Sequence, residues 1–476
     1  MDRRSILSGG LAAALAARRG LHAAADRPNI VFAIADDQSW LHTSGAGDAV
    51  VKTPTIDRVA GEGVRFTHAF CCSPSCTPSR AAILSGQDVW RLRESGNLWS
   101  TLSKDIEVYP SLLESADYRI GLTGKGWGPG DFKPGGWTRN PAGPATASFD
   151  EFHRSVPKGQ PFCYWYGGRD PHRAYTPGQG LAAGLKLDDV KVPAWLPDSR
   201  EVRSDILDYY FAVQRFDSEV GRILSTIEKA GQLENTLFVT ASDNGMPFPR
   251  AKTNLYDSGT RMPLAMRWPA RFKGGRVVDD FVSFADLAPT FLEAAGLKPR
   301  PAMTGRSFLN VLLSGKRGRV DRSRDAVWTA RERHTVQRSG AVGYPMRAIR
   351  TYDHLYIRNF APDRWPAGDP PDCGDIDDGP AKQFVIANRE TPAVARFYEM
   401  ACGKRPAEEL YDLRKDPDQQ VNVAQQSAYA ETRKRLSARM ERRLKETGDP
   451  RVTGGEVIWD TTPYYGTPRP LPGRGA

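Results

Sequence analysis

Four short and almost continuous apolar runs constrain the fold of this chain more than any other feature. They span residues 29–35, 118–123, 161–166 and 236–241. Runs of this kind are typical of strands that are buried on both faces. Between the third and fourth runs, apolar residues from Ile206 to Ile227 recur at helical spacing, with Ser204 as the predicted N-cap and Gly231 as the predicted stop. Strands that alternate with helices predict an α/β sandwich around a large, mostly parallel sheet.

Polar residues of a kind that bind ions or substrates follow all four runs. In chain order they are Asp36 and Asp37, Lys125, His172, and Asp243 and Asn244. Active sites of such sheets gather beyond the carboxyl ends of the strands. The sequence therefore predicts a functional site at this edge of the sheet.

The length of 476 residues allows one large domain with a smaller one attached. We predict the large domain over residues 26–325. The part from residue 326 to 476 differs, with an aperiodic stretch at 361–382 and short predicted strands at 347–349 and 355–359. A basic helix carrying Leu436, Met440 and Leu444 follows. We therefore expect a smaller C-terminal α+β subdomain.

The first 25 residues have the pattern of an export signal. Arg3 and Arg4 form a twin-arginine pair, a weakly apolar run follows, and small residues precede Asp26. The apolar run is too short to span a bilayer, and we expect no membrane span elsewhere. The sequence predicts a soluble mature protein that is exported to the periplasm or the medium.

The net charge and the composition limit the classes of partner that this chain can bind. Hydrophobic residues make up 40% of the chain and charged residues 26%, which are globular proportions. The formal net charge of +10 can attract anionic polymers, either a nucleic acid or a sulfated polysaccharide. No nucleic-acid-binding motif is present, so we expect no nucleic-acid partner.

The sharpest motif begins at Cys76 and continues as Thr77-Pro78-Ser79-Arg80 up to Gly86. Pro78 suits the first turn of a helix, because the N–H that proline lacks is not needed there. Residue 76 is then expected just before the helix N-terminus, where an anion is favoured, with Arg80 within reach. The six cysteines show no zinc-binding spacing, and a disulfide among the other five is left open.

This run resembles the signature of the type I, formylglycine-dependent sulfatases. The resemblance implies an alkaline-phosphatase-like sandwich in which a formylglycine-generating enzyme oxidises Cys76 to formylglycine, the nucleophile toward sulfur. It also implies one bound Ca²⁺. The implied metal ligands are Asp36, Asp37, residue 76, Asp243 and Asn244. The implied catalytic and sulfate-binding residues are Cys76, Arg80, Lys125, His172 and Lys252.

One position departs from the family pattern. Sulfatases usually have Gly-Lys-x-His, where the histidine contacts the hydrated aldehyde, whereas this chain has Gly124-Lys125-Gly126-Trp127. Trp127 at the histidine position predicts a slowed second half of the reaction, unless another residue supplies the contact.

Further blocks extend the resemblance over nearly the whole mature chain. Residues 170–173, 242–249 and 253–256 are most similar to the heparan N-sulfatase (sulfamidase) group. This similarity implies a sulfated saccharide as substrate, with N-sulfoglucosamine as the hypothesis. The sulfate position, exo or endo action and the oligomeric state stay open.

Two other functions remain as alternatives. Phosphonate and phosphodiester hydrolases resemble the same architecture, but Lys125, Lys252 and a single histidine-free metal set favour sulfate. A secreted glycan-binding pseudo-sulfatase is the second alternative, and Trp127 favours it. The intact set of the other site residues favours an enzyme.

Overall fold

The main sheet lies at the centre of the computed structural model, which describes residues 27–467. Its strands are β1 (Asn29–Ala35), β2 (Val64–Phe70), β3 (Arg119–Gly124), β4 (Phe162–Gly167), β5 (Thr236–Ser242), β6 (Leu264–Arg267) and β7 (Arg276–Ser283). They lie in the order β3-β4-β1-β5-β6-β2-β7, and β6 alone among them runs antiparallel to its neighbours. The predicted mostly parallel sheet is confirmed, and each of the four predicted strands lies within one residue of its expected bounds.

The register of the central strands brings the predicted site residues together. Ala35 at the end of β1 lies opposite Ser242 at the end of β5, and Ile34 lies opposite Gly167 of β4. Because these strands are parallel, the residues that follow them emerge at the same edge of the sheet.

Helices lie on both faces of this sheet and in the C-terminal part. They are α1 (Pro54–Gly61), α2 (Cys76–Ser85), α3 (Tyr109–Glu114), α4 (Phe149–Ser155), α5 (Gln179–Ala182), α6 (Arg200–Lys229), α7 (Asp257–Thr260), α8 (Leu287–Ala294), α9 (Leu309–Leu313), α10 (Pro380–Ala387), α11 (Pro392–Cys402), α12 (Ala430–Glu446) and α13 (Pro450–Thr453). Ile30, Phe32 and Ile34 belong to the core on one face of the sheet, whereas Val31 and Ala33 belong to the core on the α6 face. Burial on both faces explains why β1 is continuously apolar.

The long helix α6 begins earlier than predicted. The expected N-cap, Ser204, lies inside the helix, because Ser199 accepts a hydrogen bond from the Val202 N–H and serves as the cap instead. The helix ends at Lys229, just before the predicted stop at Gly231, which has a left-handed φ of 68°.

A second, antiparallel sheet forms in the C-terminal part. Its strands are β8 (Ala326–Arg331), β9 (Met346–Thr351), β10 (His354–Asn359) and β11 (Glu408–Asp412), in the order β11-β10-β9-β8. The predicted basic helix is α12, and its residues Leu436, Met440 and Leu444 are buried in the core that also covers the main sheet. The boundary near residue 325 stays a prediction, since the two sheets share this core.

The predicted export signal at residues 1–25 lies outside the described part of the chain. Within residues 27–467, no helix combines the length and the apolar character needed to cross a membrane.

Candidate functional site

Cys76 is the first residue of α2, rather than the residue before it, and Ser75 is the N-cap. Every residue of α2 is buried. The Cys76 Sγ lies 3.5 Å from Asp36 Oδ1 and 3.9 Å from Asp37 Oδ1. The helix therefore presents the start of the motif to the end of β1, and Pro78 occupies its first turn as predicted.

Three carboxylates surround the Cys76 sulfur. Asp36, Asp37, Asp243 and Cys76 each offer a ligand atom, and these atoms lie within 4.8 Å of one another. Asp37 adopts a left-handed φ of 74°, and its N–H donates to Asp243 Oδ1 at 3.0 Å. That contact joins the ends of β1 and β5.

Asn244 completes the predicted metal set. Its amide nitrogen donates to Asp37 Oδ1 at 2.7 Å, whereas its Oδ1 is buried without a hydrogen-bond partner among the described residues. A buried oxygen without a partner is costly unless a ligand satisfies it. Carboxylate and amide oxygens are the ligands that Ca²⁺ and Mg²⁺ prefer, so this donor set fits a hard divalent cation.

Arg80 projects from α2 into the same cluster. Its Nε donates to Asp243 Oδ2 at 2.7 Å, and its Nη1 donates to the carbonyl of Lys125 at 2.6 Å. Its Nη2 lies 3.6 Å from Asp36 Oδ1 and has no hydrogen-bond partner in the described structure. Arg80 thus connects α2 to the ends of β3 and β5 and keeps one N–H group directed at the site.

The two predicted lysines bind the two aspartates that follow β1. Lys125 Nζ donates to both oxygens of Asp36 at 2.7 Å. Lys252 Nζ donates to Asp37 Oδ2 at 2.7 Å and to Asp377 Oδ2 at 2.8 Å. The ammonium of Lys252 therefore lies between two carboxylates, which together with His172 also form a second group of ligand atoms within 4.8 Å of one another.

His172 lies at the open side of the site, with its side chain 36% exposed. Its Nδ1 is 2.5 Å from the carbonyl oxygen of Arg173, and because a carbonyl only accepts, this nitrogen carries the proton. The other nitrogen, Nε2, lies 3.7 Å from Asp37 Oδ2. When protonated, Nε2 can donate to an anionic group or a leaving group at the site mouth.

Burial and the surrounding cations shift the pKa values of Asp36 and Asp37, the two carboxylates that follow β1, in opposite directions. Burial tends to raise the pKa of Asp36, but Lys125, His172 and Arg80 outweigh it and hold this pKa well below its usual range. Burial prevails at Asp37 and raises its pKa, although Lys252 and His172 oppose the change.

Cys76 is a poor nucleophile as a thiol. Burial raises its pKa well above the usual value, with Lys125 offsetting part of the effect. The thiol therefore stays neutral, and it is the thiolate that attacks electrophiles. A different functional group at position 76 would remove this obstacle.

Trp127 does not enter the site. It is buried in the core on the α2 side of the sheet, and its Nε1–H donates to Ser95 Oγ at 3.1 Å. The position that carries histidine in the family pattern therefore adds no ligand or proton donor here.

Two site residues were missed by the sequence analysis. Asp377, which binds Lys252, lies in an acidic stretch without periodicity, so nothing in the sequence placed it near the sheet. His334 lies shortly after the end of β8, and its Nδ1 is 2.8 Å from the hydroxyl of Ser75. A polar residue beyond a strand end could have indicated it, but residues 326–331 were not read as a strand.

His334 should make the stability depend on pH. Burial lowers its pKa from 6.5 to about 3, so the unfolded chain binds a proton between these values that the folded chain does not. Stability from this residue is present above pH 6.5 and is lost as the pH falls toward 3, with a slope of up to about 1.4 kcal/mol per pH unit. Urea unfolding at several pH values should show a shallower slope for His334→Gln. The half-buried His153→Gln is the control, and equal slopes for wild type and His334→Gln would contradict the assignment.

The mostly parallel seven-stranded sheet, with the four-stranded antiparallel sheet of the C-terminal part, is an alkaline-phosphatase-like fold. Residues 28–297 match the sulfatase family, and residues 250–359 match the family described as N-sulphoglucosamine sulphohydrolase, C-terminal. The chain belongs to the sulfatase family.

Relatives and solved structures are similar over most of the chain. An ulvan-active sulfatase of Formosa agariphila is 28% identical, covering 90% of this chain and 82% of its own length. The human N-sulphoglucosamine sulphohydrolase is also 28% identical, covering 90% and 92%. A solved structure in complex with D-glucosamine-2-N,6-O-disulfate has a TM-score of 0.67 at 21% identity, covering 89% of this chain and 98% of that one. The phosphonate monoester hydrolase of Agrobacterium radiobacter has a TM-score of 0.64 at 17% identity, covering 90% and 97%, which shows a shared fold.

Proposed function

We propose that this protein hydrolyses a sulfate group from a sulfated carbohydrate, with formylglycine derived from Cys76 as the nucleophile and one Ca²⁺ ion. The observation that carries the proposal is the position of Cys76 at the start of a buried helix, within a cage of three carboxylates and beside Arg80.

The substrate that we propose is N-sulfoglucosamine, at the end of or within a sulfated glycan. The match of residues 250–359 to the N-sulphoglucosamine sulphohydrolase C-terminal family supports this, as does the 28% identity with the human enzyme of that name. The similarity to an ulvan-active sulfatase makes other sulfated glycans the alternative substrates.

Each site residue would have a distinct role in the proposed reaction. Formylglycine would supply the attacking hydroxyl, and calcium held by Asp36, Asp37, Asp243 and Asn244 would offset the charge of the sulfate. Lys125 and Lys252, which now hold Asp36 and Asp37, would donate to the sulfate oxygens and stabilise charge in the transition state. His172 would protonate the leaving group through Nε2, because its Nδ1–H already donates to a backbone carbonyl.

The position of Lys252 favours sulfate over phosphate chemistry at this site, although the ligand atoms of Asp37, His172 and Asp377 also lie within 4.8 Å of one another. Phosphatases of this architecture usually hold two metal ions. In this chain Lys252 Nζ lies between Asp37 and Asp377, 2.7 and 2.8 Å from their oxygens. A fixed ammonium there replaces a second ion, and its single charge suits the less charged sulfate.

Sulfate release tests the proposal directly. The assay compares N-sulfated with 6-O-sulfated glucosamine, with Ca²⁺ and enzyme co-expressed with a formylglycine-generating enzyme, and includes a phosphonate monoester. Release from the N-sulfated sugar alone supports the full proposal. Release from the O-sulfated sugar alone keeps the sulfatase and removes the sulfamidase assignment. Turnover of the phosphonate alone, or a plain cysteine at position 76 by mass spectrometry, would overturn the proposal.

Calcium should stabilise the folded protein. A ligand present at about 100 times its Kd adds about 2.7 kcal/mol to the free energy of unfolding, so Ca²⁺ should raise the Tm and a chelator should lower it. Asp37→Asn should lose this response because it removes one charged ligand. The control is Asp280→Asn, since Asp280 is buried elsewhere and accepts from the N–H groups of Val320 and Asp321. An undiminished response in Asp37→Asn would contradict the metal site.

We also propose export by the twin-arginine route, on the basis of Arg3 and Arg4. Replacing both with lysine should retain the protein in the cytoplasm. Fractionation of cells measures this, and unchanged export of the variant would count against the route.

A further inference from the structure

The segment that follows β10 returns to the active site and is held there by buried charges. We call residues 361–379 the return segment. Its Asp375 accepts hydrogen bonds from Arg331 and Arg338, and all three side chains are almost completely buried. Two residues later, Asp377 binds the catalytic candidate Lys252. The position of Lys252 therefore depends on how firmly this segment is held.

Two cysteines join the return segment to α11. Cys373 lies in the segment and Cys402 is the last residue of α11, and they are 1% and 2% exposed. Both belong to one small apolar cluster with Ala367, Ile376 and Ala401. Tyr398 packs against the same cluster, and the two thiols shift each other's pKa, lowering that of Cys373 and raising that of Cys402.

The nearby cysteines have different partners. The Cys71 thiol donates to the carbonyl of Gly259, and the Cys72 sulfur lies 3.3 Å from the hydroxyl of Ser283. Cys163 lies within β4 and is buried in the sheet core. Among the cysteines of the described residues, Cys373 and Cys402 are thus the pair that shares one small apolar cluster away from the main core.

We propose that Cys373 and Cys402 form a disulfide that fixes the return segment, and with it Asp377, against the active site. The bond itself does not depend on the proposed function, and only its effect on catalysis does. It closes the loop from residue 373 to residue 402, and cross-links stabilise the folded state mainly by constraining the unfolded chain.

The chemistry is an ordinary thiol–disulfide exchange. The interaction between the two thiols lowers the pKa of Cys373 and raises that of Cys402, so Cys373 is the first nucleophile. Its thiolate attacks a disulfide donor, such as oxidised glutathione or a disulfide-bonded protein oxidant, and one donor thiolate leaves. Cys402 then gives up its proton and attacks the Cys373 sulfur, which releases the second donor thiol. Two protein thiols are oxidised and one donor disulfide is reduced, and the buried sulfurs require the segment to open locally.

Peptide mapping of the full chain tests the bond without any activity assay. The protein is incubated with oxidised glutathione, alkylated without reductant and digested. We expect one cross-linked peptide that joins residues 373 and 402 and is lighter by two hydrogens, with Cys71, Cys72 and Cys163 alkylated. Alkylation of both Cys373 and Cys402, or a cross-link to a different cysteine, would overturn the proposal.

Thermal unfolding gives a second readout with matched variants. Reductant should lower the Tm of the oxidised wild type by about 3 °C or more. The Cys373→Ser/Cys402→Ser variant should have the same Tm with and without reductant, whereas Cys163→Ala should keep the wild-type response. A reductant-sensitive double variant would refute the assignment. If the double variant does not fold, the peptide map of the wild type decides alone. Because neither readout uses catalysis, a failed sulfatase assay and a failed disulfide assignment are distinguishable.

Discussion

Replacing Cys76 with alanine is expected to abolish sulfate release. Its sulfur faces the carboxylate cage and lies 3.5 Å from Asp36 Oδ1. Loss of a covalent nucleophile usually costs roughly 10⁴-fold or more in kcat, because neighbouring residues cannot replace the bond-forming step. Released sulfate, measured by ion chromatography with enzyme matured in the same host, gives the ratio of rates.

A neighbouring cysteine provides the matched control. Cys72 is equally buried and lies four positions earlier in the chain, but its sulfur faces the Ser283 hydroxyl rather than the carboxylate cage. Cys72→Ala should keep most of the activity. If Cys76→Ala kept more than a few per cent of the wild-type rate, the nucleophile would have to lie elsewhere.

Replacing Arg80 with alanine should destabilise the folded protein more than any other single change to the site. Arg80 is fully buried, and its Nε–H donates to the equally buried Asp243 at 2.7 Å. Removal of one partner leaves an uncompensated charge at the centre of the molecule, which costs about 3–5 kcal/mol in comparable buried pairs. Urea unfolding followed by circular dichroism measures the loss.

Arg58 offers the comparison with an exposed ion pair. It also projects from a helix, α1, and it contacts Glu62 and Glu228, but its side chain is 37% exposed. Exposed pairs contribute about 1 kcal/mol or less, so Arg58→Ala should be almost neutral. Equal losses in the two variants would mean that Asp243 keeps its compensation without Arg80, for example from a bound cation, and repeating the comparison with a chelator would separate the two cases.

Much of the site could be predicted because strand periodicity and strand ends are local properties of the sequence. Asp36, Lys125 and Asp243 each follow a buried parallel strand, so a correct strand assignment was enough to bring them to one edge. The Cys76 motif added the helix that faces this edge.

The positions of the remaining residues depend on long-range contacts that no local sequence pattern encodes. Asp377 reaches Lys252 because buried arginines hold the return segment, and the two residues are far apart in the chain. The Trp127 side chain lies in the core, where it packs against apolar residues and donates a hydrogen bond to Ser95. The motif alone could not indicate this orientation. The N-cap of α6 moved for a similar reason, since Ser199 and Ser204 are chemically equivalent caps and only the packing distinguishes them.

The core that α2 shares with the C-terminal helix α12 is completed late during synthesis of the chain. Residues 81–84 of α2 pack in the same core as Leu436, Met440 and Leu444 near the other end of the chain. During synthesis at 5–20 residues per second, about 20 to 70 s separate the appearance of Cys76 from that of Leu444. Until then the core around α2 lacks its last members, so Cys76 would be open to the modifying enzyme that the proposed function requires. Slow completion of the fold would thus give the time in which formylglycine can form.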